Sequence, residues 1–175
     1  AAWGEPHLVR PGAIKPIPQL AGVKNAVVIV IDTARQDAFQ AFNPYTIVKT
    51  PRFSEYAESS SLFTNAYTTA PWTKPSVASI LSGLHPSTHG ATTEESMLSP
   101  DVTLVSEHLR HRGFTTAMFS ANGYVSDRFG FDQGWDQYEN YVRERRPTHA
   151  KVVYRDAHRW IEERCQQYYN HEEKR

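Results

Sequence analysis

Six consecutive residues, Ala26-Val27-Val28-Ile29-Val30-Ile31, are apolar, and five of them are β-branched. A half-buried strand alternates apolar and polar positions, whereas a run apolar in both phases reads as a strand covered on both faces, as in parallel sheets. The run ends at Asp32-Thr33. Ligands of open α/β sheets bind beyond the carboxyl ends of strands, so a carboxylate there would face a site. The same two residues also suit the N-cap of a helix over 34–42, and spacing alone leaves both readings open. Arg35 and Asp37 read as a solvated pair.

Residues 1–24 hold four prolines and three glycines with no period of 2 or 3.6, the pattern of an extended lead-in. The rest, 25–175, reads as one domain. Thr50-Pro51 predicts a helix start, with Phe53, Tyr56 and Ala57 at helical spacing and the run Ser59-Ser60-Ser61 closing it. Residues 62–67 are a short strand candidate. The stretch Thr69-Ala70-Pro71-Trp72-Thr73-Lys74-Pro75-Ser76 then leads into a helix with Pro75 at its first position and Gly83 as its stop. Thr73 falls in the entering turn. Free N–H groups and the positive end of the dipole favour a tetrahedral anion there, and a hydroxyl in that place can attack one.

His85 and His89 flank the following loop, where a histidine either serves the site or anchors backbone. A polar loop runs to Ser99. Pro100-Asp101 opens a helix that Gly113 ends, and 114–119 is a strand finishing at Ser120-Ala121-Asn122-Gly123. Asn122 can donate to a substrate oxygen or simply make the turn before Gly123. Residues 129–136 read as a loop packed by its own rings. From Thr148, Val152, Val153, Ala157, Trp160, Ile161 and Cys165 share one face of a last helix. Strand, helix and strand in succession argue for βαβ units, hence an α/β fold.

Nineteen basic residues balance nineteen acidic ones in 175 residues. No basic footprint for nucleic acid follows from that balance. The longest apolar run is far shorter than the roughly 20 residues of a membrane helix. One cysteine excludes an internal disulfide. No glycine-rich nucleotide loop, internal repeat or zinc-spaced Cys/His cluster occurs, and the compartment is left open.

In order along the chain, Val27 to Asp37, the Thr50-Pro51 helix, Phe63-Thr64-Asn65-Ala66-Tyr67, Ala70 to Ser76, Ser82-Gly83-Leu84-His85-Pro86-Ser87-Thr88-His89-Gly90, Gly113 to Ala117 and Phe129 to Asp136 resemble the sulfatases of the alkaline-phosphatase superfamily. The resemblance covers residues 25–165. It implies an α/β fold with a mostly parallel central sheet flanked by helices, and a divalent metal (Ca, Mg, Zn or Mn) at the carboxyl edge of that sheet, with Asp32 at the family's first metal-binding aspartate. It also implies that Thr73 stands at the nucleophile position of the Cys-x-Pro-x-Arg signature, here Thr73-Lys74-Pro75-Ser76-Val77, where it would touch the metal. Lys74, Asn122 and His89 are the expected substrate contacts, a solvated side chain being the alternative for Lys74.

Three departures shape that expectation. Thr33 replaces a second aspartate, Val77 replaces the arginine, and threonine cannot be converted to formylglycine as the family's cysteine or serine is. Threonine is, however, the nucleophile in the phosphodiesterase and phosphoglycerol-transferase relatives. The expected function is therefore metal-dependent hydrolysis of a sulfate or phosphate ester, on a small molecule, lipid or glycan. A phosphodiesterase-like or phosphoglycerol-transferase-like enzyme is one alternative, and a non-catalytic scaffold or binding domain is another. The family's later metal ligands have no counterpart before Arg175. The chain is thus expected to be an incomplete domain, inactive alone; relatives are often exported or membrane-anchored.

Overall fold

The computed structural model describes residues 25–172, so the expected lead-in over 1–24 lies outside the described residues. Residues 25–31 form neither strand nor helix, and Val27 to Ile31 are 52–75% exposed. The expected strand is therefore absent. A strand apolar on both faces needs ladder partners and cover on each face, and the described residues contain one ladder, formed elsewhere.

From Asp32 onward the chain is α/β. A 3-10 turn at Gln36–Ala38 stands where a helix over 34–42 was expected. Arg35 and Asp37 make the solvated pair, with guanidinium-to-carboxylate distances of 2.9 and 2.6 Å. Helix α1 spans Pro51–Glu58, with Pro51 in its first turn and Ser59 as C-cap. Thr50 does not cap it with its side chain. Its Oγ1 accepts from the Gln40 N–H while its own N–H donates to Gln40 Oε1, tying α1 to the preceding turns. Residues 62–67 form a turn at Thr64-Asn65 and no strand, because the run finds no edge to pair with.

Helix α2 spans Thr73–Ser82, with Trp72 as an extended N-cap residue and Gly83 closing it at φ 70°. It starts two residues earlier than the sequence suggested, so Pro75 is its third residue. Proline is tolerated there because the first N–H groups of a helix have no partner within it. One turn, α3 (Pro86–His89), follows, and then α4 (Val105–Arg110), which begins later than Pro100-Asp101 predicted. Glu107 explains the start: its carboxylate accepts the Leu104 N–H at 2.8 Å, a partner for one of the unpaired donors.

Strand β1 (Ala117–Ser120) pairs in parallel with β2 (Gln137–Asn140), Ala117 opposite Gln137 and Ser120 opposite Asn140. The sequence pattern gave no warning of β2, whose Gln-Tyr-Glu-Asn lacks an apolar alternation. Its register is set just upstream, where the Asp136 and Gln137 N–H groups both donate to Thr116 O. The last helix, α5 (Ala150–Glu172), lies against β1, with Trp160 edge-on to Phe119. Tyr141 Oη donates to Asp156 of α5, and Arg146 spans Asp156, Glu139 and Glu144. Val152, Val153, Ala157 and Trp160 are partly buried as expected, but Ile161 and Cys165 are exposed.

The core is built from Val77 and Ala78 of α2, Ala91, Leu98, Leu104, Val125, Phe129 and Phe131, with Leu81, Val102 and Met118 against it. Each large side chain fully removed from water here contributes about 1.5–3 kcal/mol. Of the eight core residues only Val77 and Ala78 lie in an α-helix or strand, so most of the core comes from the irregular segments after Gly90 and Gly123. α2 is held from beneath, and its first residue is thereby placed.

Gly134 shows how tight the loop packing is. At φ 72°, a Cβ there would lie 2.2 Å from Glu107 Cγ and 2.8 Å from Glu107 N. Gly83, at φ 70°, has open space around it. Gly134→Ala is expected to cost more than about 2 kcal/mol in urea unfolding, against about 1 kcal/mol for Gly83→Ala, where only the backbone objects.

Candidate active site

Three residues expected to serve a site, Asp32, Thr73 and Asn122, meet. Thr73 Oγ1 donates to the Asp32 carboxylate, 3.1 Å from Oδ1 and 3.2 Å from Oδ2. Asn122 Nδ2 donates to Asp32 Oδ2 at 2.7 Å. The donors lie 41 and 90 positions from Asp32, so tertiary structure alone brings them there. Asp32 is exposed, and Thr73 and Asn122 are half-buried.

Local chemistry sets each of the three. Asp32 sits in a turn with Thr33, whose φ is 56° and whose hydroxyl donates back to Asp32 O at 2.7 Å. A β-branched residue in the left-handed region is a true outlier, costing of order 1–3 kcal/mol, and such strain gathers at functional sites. Thr73 opens α2, at the positive end of a ten-residue helix. Asn122 follows the carboxyl end of β1. Its Oδ1 accepts the Tyr124 N–H at 2.8 Å, so the side chain makes the turn and reaches Asp32 with the same amide.

Asn140, which the sequence reading passed over, holds that turn. It ends β2, is 1% exposed, and donates from Nδ2 to Asn122 O (3.0 Å) and Val125 O (2.7 Å) while Oδ1 accepts the Arg143 N–H. A short polar strand end gives no periodic signal, and only its place beside Ser120 would have marked it.

Lys74 and His89 are differently engaged. Lys74 is fully buried, neither solvated nor open to the surface; its Nζ donates to Glu94 O (2.8 Å) and Ser96 O (2.7 Å) and lies 3.9 Å from the Phe129 ring centroid. Burial pulls its pKa below the ordinary 10.5, with Glu95 and Glu94 opposing. His89 is 2% exposed. Its Nδ1 accepts the Ala91 N–H at 3.1 Å, which leaves Nε2 to carry the proton toward Ser79 Oγ, also at 3.1 Å. That tautomer cannot take a proton from Ser79, so the pair is an anchor. His85, at the surface, accepts the Ser87 N–H.

A divalent cation takes about six oxygen ligands, several of them anionic. Among the described residues no three His, Cys, Asp or Glu side chains gather. Asp32 brings one carboxylate, Thr73 a hydroxyl, and Asn122 turns its N–H toward Asp32. This donor set does not fit a complete cation site. What the cluster does by itself is direct the Thr73 hydroxyl proton at the Asp32 carboxylate.

Two measurements check these local assignments. Burial holds the His89 pKa below 6.5, so the unfolded chain takes up the proton first. Stability contributed by neutral His89 is complete above about pH 6.5 and is lost as pH falls through the lower folded value. His89→Gln is expected to flatten that part of the stability-against-pH curve. Thr33→Gly is expected to raise stability by about 1 kcal/mol in the same urea assay if the left-handed backbone is strained, and Thr33→Val to lower it.

No curated protein and no solved structure matches the chain. The family model described as Sulfatase matches residues 24–171, a span that contains Asp32, Thr73 and Asn122. The sulfatase family generally uses a divalent metal and acts on sulfate esters. With that match over most of its length, the chain belongs to the sulfatase family of hydrolases.

Proposed function

We propose that the chain carries the nucleophile corner of a hydrolase of sulfate or phosphate esters, with Thr73 as nucleophile and Asp32 as acceptor of its proton. The observation that supports this is the Thr73 hydroxyl lying between both oxygens of Asp32 at 3.1 and 3.2 Å. As Thr73 Oγ bonds to the phosphorus or sulfur of the ester, its proton passes to Asp32. The bond to the leaving group breaks, and that oxygen departs with the electron pair and takes the proton from Asp32 to become the alcohol. Water then displaces the group from Thr73 and regenerates the hydroxyl. Asn122 holds Asp32 in place and is the expected substrate contact. Substrate contact by Lys74 or His89 would require each to give up its present partner.

The charge of Asp32 opposes an anionic ester, and the Lys74 ammonium is occupied within the fold. Asp32 and Thr73 are the donors this chain would offer a divalent cation (Ca, Mg, Zn or Mn), whose chemistry is to neutralise developing charge. Among the described residues too few ligands stand beside them for a stable site, which supports reading the 175-residue chain alone as inactive. A phosphodiesterase-like or phosphoglycerol-transferase-like reaction uses the same first step with a different acceptor. One observation favours a non-catalytic scaffold instead: no three-ligand group gathers among the described residues.

The test assays a bis-aryl phosphate and an aryl sulfate with the product of the complete coding sequence and with the 175-residue chain. Turnover is expected only in the former, falling at least 10³-fold in Thr73→Ala. Unchanged turnover in Thr73→Ala would exclude the nucleophile. Calorimetric titration with Mn²⁺ separates the scaffold reading, which requires no stoichiometric binding that depends on Asp32.

A further inference from the structure

The Lys74 ammonium sits at a junction that the proposed chemistry leaves unexplained. An ammonium has three donors and no acceptor. Two of them point at Glu94 O and Ser96 O, and the Phe129 ring lies 3.9 Å away with Trp72 at 5.6 Å. Among the described residues no carboxylate pairs with the ammonium; carbonyl dipoles and ring faces engage it directly, and Glu95 and Glu94 favour its charge from further away. A charge is costly to bury and is kept only where it is fully engaged.

The carbonyls are themselves fixed. The Thr93 N–H donates to Ser96 Oγ (2.8 Å) and the Ser96 N–H to Thr93 Oγ1 (3.2 Å), closing the loop into a small ring. The Leu98 N–H then donates to Phe129 O, tying this loop to the segment carrying the ring. Phe129 stacks on Tyr124 at 6.0 Å, and Tyr124 stands edge-on to Trp72 at 5.6 Å. The Tyr124 N–H donates to Asn122 Oδ1.

Two routes therefore leave Lys74 and end on Asp32. One runs along the backbone to the neighbouring Thr73. The other runs through Phe129 and Tyr124 to Asn122. We propose that Lys74 is a positioning residue: its buried ammonium fixes the start of α2 against the Tyr124–Phe129 segment, and so sets the spacing at which Thr73 and Asn122 share Asp32. It acts through these neighbours and does not touch substrate. This inference rests on reading the three residues as one site, not on turnover.

The test is NMR of the full 175-residue chain, following the Asn122 side-chain amide protons and the Trp72 indole signal. Lys74→Met keeps an unbranched side chain, one atom shorter, and removes the charge. Hydrogen exchange at Asn122 Nδ2 is expected to rise at least 10-fold with a shifted Trp72 signal, and Lys74→Arg is expected to restore most of the protection. Should Lys74→Met fail to fold, Phe129→Leu removes the ring beneath the ammonium and is expected to release Asn122 in the same direction. Unchanged Asn122 exchange in a folded Lys74→Met, or in Phe129→Leu, overturns the proposal, even if the melting temperature falls. A Thr73→Ala protein that retains turnover would refute the nucleophile and leave these exchange results standing, so the two failures are distinguishable.

Discussion

The carboxylate of Asp32 is the point on which the rest depends. It accepts a hydroxyl from the first residue of α2 and an amide from the turn after β1, two segments far apart in sequence. Each hydrogen bond is worth little alone at an exposed site, on the order of 0.5–1.5 kcal/mol. Their value is geometric. Together they hold the Thr73 hydroxyl proton facing the carboxylate and fix the Asn122 amide beside it.

Behind that exposed point stands a buried polar layer. Lys74, His89 and Asn140 are almost wholly removed from water, and each has its polar atoms engaged, largely by backbone carbonyls and N–H groups. An unmet polar group in such a place would cost more than the bond returns. This layer converts irregular loops into rigid supports, which is why so much of the core comes from segments without regular structure. Strain at Thr33 sits on the opposite side of the balance, as a local cost carried where Asp32 must be aimed.

Much of the site was legible in the sequence because its signals are local. Pro51 and Gly83 bounded helices, a carboxylate closed an apolar run, and an Asn-Gly pair ended a strand. The resemblance to sulfatases put Asp32 and Thr73 in one expected site, and the two side chains are hydrogen-bonded. What escaped was whatever depends on a partner. The 26–31 run and residues 62–67 have strand composition but no ladder, and β2 has a ladder without the composition. Lys74 looked like a solvated or substrate-facing cation because nothing in a lysine's neighbours announces that two distant carbonyls and a phenyl ring will converge on it. The start of α2 was misjudged by two residues, since proline suits more than one position of a first turn.

The most direct measurement of the central claim is a double-mutant cycle between Asp32 and Asn122, read by urea unfolding of Asp32→Ala, Asn122→Ala and the double variant. A shared pocket predicts a coupling of about 0.5–1.5 kcal/mol across 90 positions of sequence. Additive losses, with no coupling, would mean that the two side chains do not hold each other and that the site as described does not exist.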